Sequence, residues 1–588
     1  MLNIDSLLAR VTKPARYAGG EWNSVHKDWR AARVRLALAY PDVYEVGMSN
    51  LGLTVLYDLI NRQPDFLAER VYAPWVDMEA ELRRLGAPLF SLESRRALRE
   101  FDVVGFSLGS ELTYTNLLNM LELGRIPLLA SARGDGDSLI IAGGTGAYNP
   151  EPLSDFVDLF VIGDGEEALP ELLAAFAEFS ARREEEFPRF DRQAFLRGAA
   201  GLAGIYVPSL YEVGYHADGT VATVEPRAPE APATVVRRLV RPLPPTTTRP
   251  IVPSLNTVHD RAAIEVMRGC PNGCRFCQAG HVYLPVRLRS SDDVLHDAAE
   301  LLACTGYEEI SLLSLSTGDY PNIAELVRAL AAAQPDVNIS LPSLRIDSFS
   351  VALAESLHRR KTGLTFAPEA GTQRLRDVIN KRVTEEDLLR AAEAAYGTGW
   401  STIKLYFMIG LPTETLADVV GIGRLARATL AVGRRVAGQR AQLHVSVSTF
   451  VPKPHTPFQW VAQDPAEVLA EKHLHLRAAV GRAARLAWHD PQTSLLEAAL
   501  ARGDRRLGRT ILRAHELGCR FDAWSEHLRP DLWRQAAEET GVSLAFYAQR
   551  ERPLDEVLPW GHLRSGASPE LLRRQYERAL ALAAESVE

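Results

Sequence analysis

Cysteine is scarce in this chain, with five among 588 residues. So few thiols exclude the disulfide framework that staples small secreted domains, and they suit a reducing compartment. A surplus of basic charge is also missing. The net charge is -8, so no overall field draws the molecule to nucleic acid or anionic lipid. Lysine is confined to a handful of positions, Lys361 and Lys404 among them, and arginine supplies most of the cations, which reads as genomic composition bias. No apolar run reaches the length of about 18 residues that a spanning helix needs. The opening "MLNIDSLLARVTKPARYAGG" has no long apolar h-region of the kind a signal peptide carries. These absences lead to the expectation of a cytoplasmic protein without membrane contact.

What is present is two strand–helix alternations separated by a proline-rich join. The length and the usual size of domains predict three or four of them. The first alternation has short apolar runs at 34–42, 70–75, 102–109, 138–144 and 159–166, with helical stretches such as "DMEAELRRLG" between them. Such a pattern predicts an α/β, doubly wound, Rossmann-like domain over 33–190, after an N-terminal extension at 1–32. Ligands of that fold sit beyond the C-terminal ends of the strands. Residues 191–260 read as a β-hairpin turning at Asp218–Gly219 followed by a proline-rich linker.

A second alternation occupies 261–460, with six candidate strands at 263–266, 309–315, 338–344, 363–368, 401–410 and 444–451. Six units are fewer than the eight of a closed barrel, so an open, partial (β/α)6 barrel is expected. Thr384 and Asp387 have the spacing of a capping box at the start of one helix. Residues 461–588 read as a mainly helical C-terminal domain.

Three of the five cysteines fall in "RGCPNGCRFCQAG", at Cys270, Cys274 and Cys277. The loop follows the first strand of the second alternation, at the barrel end where βα loops build active sites. A closed structural zinc site takes four ligands, commonly from two separated pairs. No fourth cysteine or histidine stands at a matching offset here. Three thiolates suit three irons of a 4Fe–4S cube with the fourth iron open to another ligand. A zinc loop is the alternative reading of the same residues.

The CxxxCxxC loop in this context resembles the radical S-adenosylmethionine (radical SAM) superfamily. Phe276, the aromatic before the third cysteine, belongs to that resemblance. It implies a 4Fe–4S cluster on Cys270, Cys274 and Cys277. It also implies S-adenosylmethionine on the open iron, reductive cleavage to a 5′-deoxyadenosyl radical, and an electron donor such as a flavodoxin or ferredoxin. By position it suggests Glu369 in "PEAGT" for the nucleoside and Ser314 and Ser316 for the amino group, although the usual glycine-glycine-acid pattern near Ser314 is absent. Arg345 and Lys404 end or line strands and read either as neutralising a carboxylate or as ordinary ion-paired barrel residues. Stretches such as "FAPEAGTQRLRDVINK" and "STIKLYFMIGLPTET" extend the likeness to an uncharacterised bacterial family over nearly the whole chain.

The first domain resembles the cobalamin-binding branch of the superfamily, which carries a DxHxxG motif. Asp42 through Gly47 keep that frame, with Tyr44 where the cobalt-ligating histidine would stand. Ser107 in "FSL" and Gly143 and Gly144 in "AGG" fall where the later motifs would. Two readings stay open: a crevice that still takes cobalamin, or a Rossmann-like domain that kept its shape and lost the cofactor. Cobalamin would make methyl transfer the natural chemistry.

Cys304 and Cys519 remain. Two thiols are too few for the second three-cysteine cluster of the methylthiotransferase branch. Arg502, Arg505, Arg506, Arg509 and Arg513 lie on one stretch, as a phosphate-tracking surface for RNA or as a solvated arginine-rich face. The expected function is a radical SAM enzyme acting on an undetermined substrate, an RNA or ribosomal component being one class. The alternative is a non-catalytic iron–sulfur binding or sensing protein.

Overall fold

In this computed structural model residues 4–186, 190–346 and 363–585 are described. The chain divides into two compact units. The first contains residues up to Asp260 with Leu500–Leu544 and Asp555–Ser565, and the second contains Arg261–Ala499, Ala545–Leu554 and the residues from Gly566 on. Residues 461–588, expected as one helical domain, are thus shared between the two.

The first unit is built on six strands, β1 (Val34–Tyr40), β2 (Phe66–Tyr72), β3 (Val103–Ser107), β4 (Leu139–Gly143), β5 (Leu159–Val161) and β6 (Ile205–Tyr206). They are ordered β2-β1-β3-β4-β5-β6; the first five run parallel and β6 pairs antiparallel with β5. This is the doubly wound arrangement, with its order reversing between β1 and β3. Runs such as Leu36–Ala39 are buried because helices cover both faces of the sheet.

Strand β2 begins before the expected 70–75 and ends at Tyr72, because two charged residues inside it are neutralised. The Arg70 guanidinium is paired with Glu21 at 2.9 Å and Glu93 at 2.6 Å. Glu69 accepts hydrogen bonds from the Ser91 and Ser94 hydroxyls, both at 2.6 Å. Their polarity hid the strand from a pattern-based reading. The hairpin forms as expected, Tyr211–Tyr215 against Val221–Pro226, with Gly219 at φ +86°. The proline-rich stretch that follows is mostly irregular. Val235–Val236 nevertheless pairs in parallel with Leu563–Arg564.

Among the described residues the second unit has seven parallel strands where six were expected. Strands β7 (Ala262–Glu265), β8 (Glu309–Leu313) and β9 (Asn338–Ser340) form one sheet. Strands β10 (Leu364–Glu369), β11 (Thr402–Ile409), β12 (Gln442–Thr449) and β13 (Arg485–Trp488) form the other. The added strand, β13, is four residues long, too short for its alternation to register against the helices around it. Ile403, Leu405, Phe407 and Ile409 of β11 and Leu443, Val445 and Val447 of β12 pack against the helices Glu385–Gly397, Leu416–Ala437 and Ala466–Val480. The capping box at Thr384 is present: its hydroxyl accepts from the Asp387 N–H at 3.1 Å, and the Asp387 carboxylate accepts from the Thr384 N–H at 3.0 Å. No described helix is long and apolar enough to cross a membrane.

Candidate functional site

The cysteine loop leaves β7 through a short antiparallel ribbon, Met267–Arg268 against Arg287–Leu288. It folds back tightly at Gly269, whose φ of +88° suits glycine. A Cβ there would lie 2.9 Å from the Tyr283 carbonyl oxygen. Cys270, Cys274 and Cys277 are free thiols, each half-buried. Two of the sulfurs already receive hydrogen bonds at 3.4 Å, Cys270 from the Asn272 side-chain amide and Cys277 from the Gly280 N–H. Burial pushes the Cys274 thiol up to about 11, against the pull of Lys381 and Arg345. Burial also raises Cys277, with the Gly280 N–H opposing it.

The loop is fastened to the turn that follows β10. Arg275 is buried; its backbone N–H donates to the Ile379 carbonyl at 3.0 Å and its guanidinium to that of Asp377 at 3.0 Å. A guanidinium at the end of the helix Gln373–Val378 satisfies carbonyls that have no partner within the helix. Asn380 donates to the carbonyls of Asn272, at 3.1 Å, and Gly273, at 2.9 Å.

Of the residues that the resemblance assigns to S-adenosylmethionine, several gather here. Glu369 ends β10 and is paired with Lys381 at 3.2 Å. Burial raises its carboxyl, and both members of the pair act on Cys274 and Cys277. Arg345 acts on Cys274 as well. Ser316 reaches the loop through Asn272, whose amide contacts the Ser316 hydroxyl at 3.3 Å and the Asp319 carboxylate at 2.6 Å. Ser314 accepts from the Ser316 N–H at 3.1 Å. Phe276 is half-buried within the loop. Lys404 stands apart, its ammonium 4.6 Å from the Tyr406 ring centroid.

Sequence reasoning passed over Asn272, Arg275, Asp319, Asn380 and Lys381. For Asn380 and Lys381 a signal existed, since they end the stretch "FAPEAGTQRLRDVINK" and lysine is rare in this chain.

At the crest of the first unit, where a crevice was expected, Asp42, Tyr44 and Gly47 are buried, Ser107 and Gly143 are half-buried and Gly144 is exposed. Asp42 is buried and accepts from the Trp524 indole N–H at 3.0 Å. Tyr44 is buried; its hydroxyl donates to Glu21 at 3.0 Å and accepts from the Ser254 N–H at 3.3 Å. A Cβ on Gly47 would strike the Tyr72 ring at 2.3 Å. Gly144, at φ +98°, lies so near Leu108 that a Cβ would stand 2.7 Å from its carbonyl oxygen. Its glycine is thus explained without a ligand. Ser107 ends β3 and Gly143 ends β4, both half-buried.

Residues 501–533 account for the covering. Asn149 donates to the carbonyls of Ala501 and Gly503, both at 2.9 Å, and the Phe521 N–H donates to Asn116 at 2.7 Å. Trp75, just beyond β2, has Phe521, Trp524 and His527 around it at ring-centroid distances of 4.9, 5.1 and 4.8 Å. The positions just beyond β1 and β2 are therefore covered by the chain's own aromatic segment, while Gly109 beyond β3 and Gly144 beyond β4 stay exposed at the end where this fold binds ligands.

The arginine stretch is consumed internally. Arg505 pairs with Glu151 at 2.6 Å, Arg506 with Asp504 at 2.7 Å and Arg513 with Glu539 at 2.5 Å; Arg502 is buried, and Arg509 is exposed. It offers no continuous phosphate-tracking face. Cys304 is half-buried and Cys519 buried, its thiol pushed up to about 12 by burial.

Known proteins resemble the chain as follows. Residues 52–208 match the family described as radical SAM proteins, N-terminal, and residues 264–426 match the radical SAM superfamily. An uncharacterized protein of Methanocaldococcus jannaschii is 26% identical over 483 residues, covering 81% of this chain and 90% of that protein. A tRNA-2-methylthio-N(6)-dimethylallyladenosine synthase of Chlorobium phaeobacteroides is 28% identical over 27% of this chain and 37% of its own length. A ribosomal protein uS12 methylthiotransferase of a Synechococcus strain is 26% identical over 38% of this chain and 48% of its own. The chain thus spans less than half of either methylthiotransferase. Among solved structures, the cobalamin-dependent S-adenosylmethionine radical enzyme OxsB gives a TM-score of 0.45 at 12% identity, covering 94% of this chain and 80% of that one.

Proposed function

This chain belongs to the radical SAM superfamily, and from that premise we propose that Cys270, Cys274 and Cys277 hold a 4Fe–4S cluster with one iron left for S-adenosylmethionine. The superfamily implies both the cluster and that cofactor, and the chain is a radical SAM enzyme. The observation that carries the assignment is a pinned loop of three free, half-buried thiols, two of them already receiving N–H donors. Among the described residues no three His, Cys, Asp or Glu side chains are arranged around a single metal ion. A tetrahedral ion with bonds of ~2.3 Å would draw its thiolates close together, whereas a cube takes each cysteine on a different iron. Three thiolates with no fourth cysteine or histidine at a matching offset suit the cube better than a closed zinc site.

A cluster held there would supply the electron for reductive cleavage of S-adenosylmethionine and so the radical chemistry of the superfamily. The chain's own residues hold and tune it. Asn272 and the Gly280 N–H direct positive dipoles at the sulfurs of Cys270 and Cys277, and hydrogen bonds to ligating sulfur raise a cluster's potential. Arg275 and Asn380 fix the loop on the β10 turn. The Glu369–Lys381 pair stands ready to orient polar groups of the cofactor. A protein reductant such as a flavodoxin or ferredoxin would deliver the electron.

We read the first unit as working without cobalamin, because Trp524 covers Asp42 and Tyr44, standing where the family's histidine would be, is engaged with Glu21. Methylthio transfer is not proposed: beyond the loop only Cys304 and Cys519 remain, one thiol short of a second three-cysteine set. An RNA or ribosomal substrate draws no support from the arginines at 502–513, which are spent on internal pairs.

The test is anaerobic reconstitution followed by iron analysis and reaction with dithionite. About four irons per chain and release of 5′-deoxyadenosine with methionine are expected, with both lost in Cys274→Ala. Stoichiometric zinc without iron, or a fully loaded cluster that never cleaves S-adenosylmethionine, would overturn the reading.

A further inference from the structure

The sheet of β10–β13 has two unlike faces. One carries the apolar side chains that pack on the helices. On the other stand Lys404, Tyr406 and Met408 of β11, and His444, Ser446 and Ser448 of β12. Residues Arg485 and Ala487 of β13 join them, since Leu486 and Trp488 pack toward the core. The parallel register sets Lys404 beside His444, and His444 beside Arg485. Partners in adjacent parallel strands point to the same side, and strands lie ~4.8 Å apart, so the three basic side chains form one row across the face.

Two things separate this row from an ordinary solvated surface. The first is position. Lys404 and His444 are half-buried and lie within the two central strands of the sheet, where a lysine is disfavoured unless something offsets it. The second is the company the row keeps. No aspartate or glutamate stands on β11, β12 or β13, and the contact described for Lys404 is the Tyr406 ring at 4.6 Å. Tyr406 is itself 38% exposed although it sits midway along a central strand. Glu369, at the end of β10, is already committed to Lys381. A row of positive and hydrogen-bond-donating groups, half-buried at Lys404 and His444 and exposed at Arg485 and Tyr406, with no carboxylate on its strands, is a place for an anion to supply the missing charge.

We propose that the row Lys404–His444–Arg485, with the Tyr406 hydroxyl, binds an anionic group of the substrate, a phosphate or a carboxylate. This rests on the radical SAM reading of the same unit, and it narrows the substrate to a molecule that carries such a group. Lys404, which family likeness suggested for S-adenosylmethionine, acts here on the substrate instead.

The experiment is calorimetric titration of the anaerobic, iron-loaded protein with inorganic phosphate and, separately, with succinate, each with and without saturating S-adenosylmethionine. Saturable binding of at least one anion is expected, unaffected by S-adenosylmethionine and weakened about ten-fold or more in Lys404→Gln and in Arg485→Gln. Phosphate alone would assign a phosphorylated substrate, succinate alone a carboxylate, and both the charge common to the two. Each variant is judged only if its iron content and circular dichroism match the parent; should one fail to fold, the other and His444→Gln serve. Absence of binding, binding unchanged in the variants, or displacement of the anion by S-adenosylmethionine would overturn the inference. Cleavage of S-adenosylmethionine by the unaltered protein is measured in the same preparation. Cleavage without anion binding sinks this inference alone, and no iron sinks the reading beneath it.

Discussion

Asp522 shows how much one residue's environment decides. It is buried, accepting from the Thr115 hydroxyl at 2.6 Å and the Trp533 indole at 2.9 Å, and burial pushes its carboxyl up to about 6 from an ordinary value of 3.8. Because the folded form holds its proton more tightly than the unfolded chain does, stability from this group is full below about pH 4. It is lost as the pH rises through 6, a change on the order of 2–3 kcal/mol. Asp522→Asn should therefore remove a fall in thermal midpoint between pH 4 and 7, read by calorimetry; an unchanged pH profile would contradict the assignment. Tyr44 is the other telling residue. Restoring the family's histidine with Tyr44→His should confer no corrinoid binding, since the side chain is buried against Glu21, which the Arg70 guanidinium also engages. Absorbance of hydroxocobalamin retained after gel filtration would refute this. The same change should cost about 1–3 kcal/mol by leaving Glu21 short of a donor.

At the scale of elements, "PEAGT" carries a lesson about motifs. By resemblance it served the nucleoside, and Glu369 does lie beside the thiols. Its glycine has a different task. Gly371 lies against the first turns of the helix Leu416–Ala437, where a Cβ would stand 2.1 Å from the Asp418 carbonyl oxygen and 2.5 Å from the Ile422 nitrogen. Gly421 returns the approach, a Cβ there lying 2.7 Å from the Gly371 carbonyl oxygen. Backbone atoms cannot yield as a flexible side chain would, so Gly371→Ala should destabilise the second unit by about 2–4 kcal/mol. Chemical denaturation measures it, and a loss below about 1 kcal/mol would show that the helix can shift freely. The capping box at Thr384 was legible because its signal is local, three residues apart. The Gly371–Gly421 approach spans fifty positions, and no local pattern encodes it.

For the whole molecule, the decisive feature is the way residues 501–533 return to the first unit. Trp524 joins Asp42 and Trp75, and Phe521 joins Asn116. Trp524→Ala should destabilise that unit by about 3 kcal/mol while the second unit keeps its full iron content. Parallel denaturation and iron analysis test the pair. Loss of iron with unchanged stability of the first unit would reverse the assignment. Sequence organisation suggested a helical domain after 460, but an amphipathic helix such as Leu507–Glu516 does not declare which core its apolar face completes.

The sequence by itself determined that three thiols would crowd into one loop beyond the first strand of the second alternation, since thiol number and spacing are local. It determined both α/β alternations for the same reason: apolar periodicity is written in consecutive residues. Only the tertiary structure decided that Arg70 could lie inside a strand, that a seventh strand would extend the barrel sheet, and that Lys404, His444 and Arg485 would share one row. It alone decided that Asp42 would be covered by Trp524, nearly five hundred positions away. Each of these depends on contacts between distant segments, whose energies no local window of sequence contains.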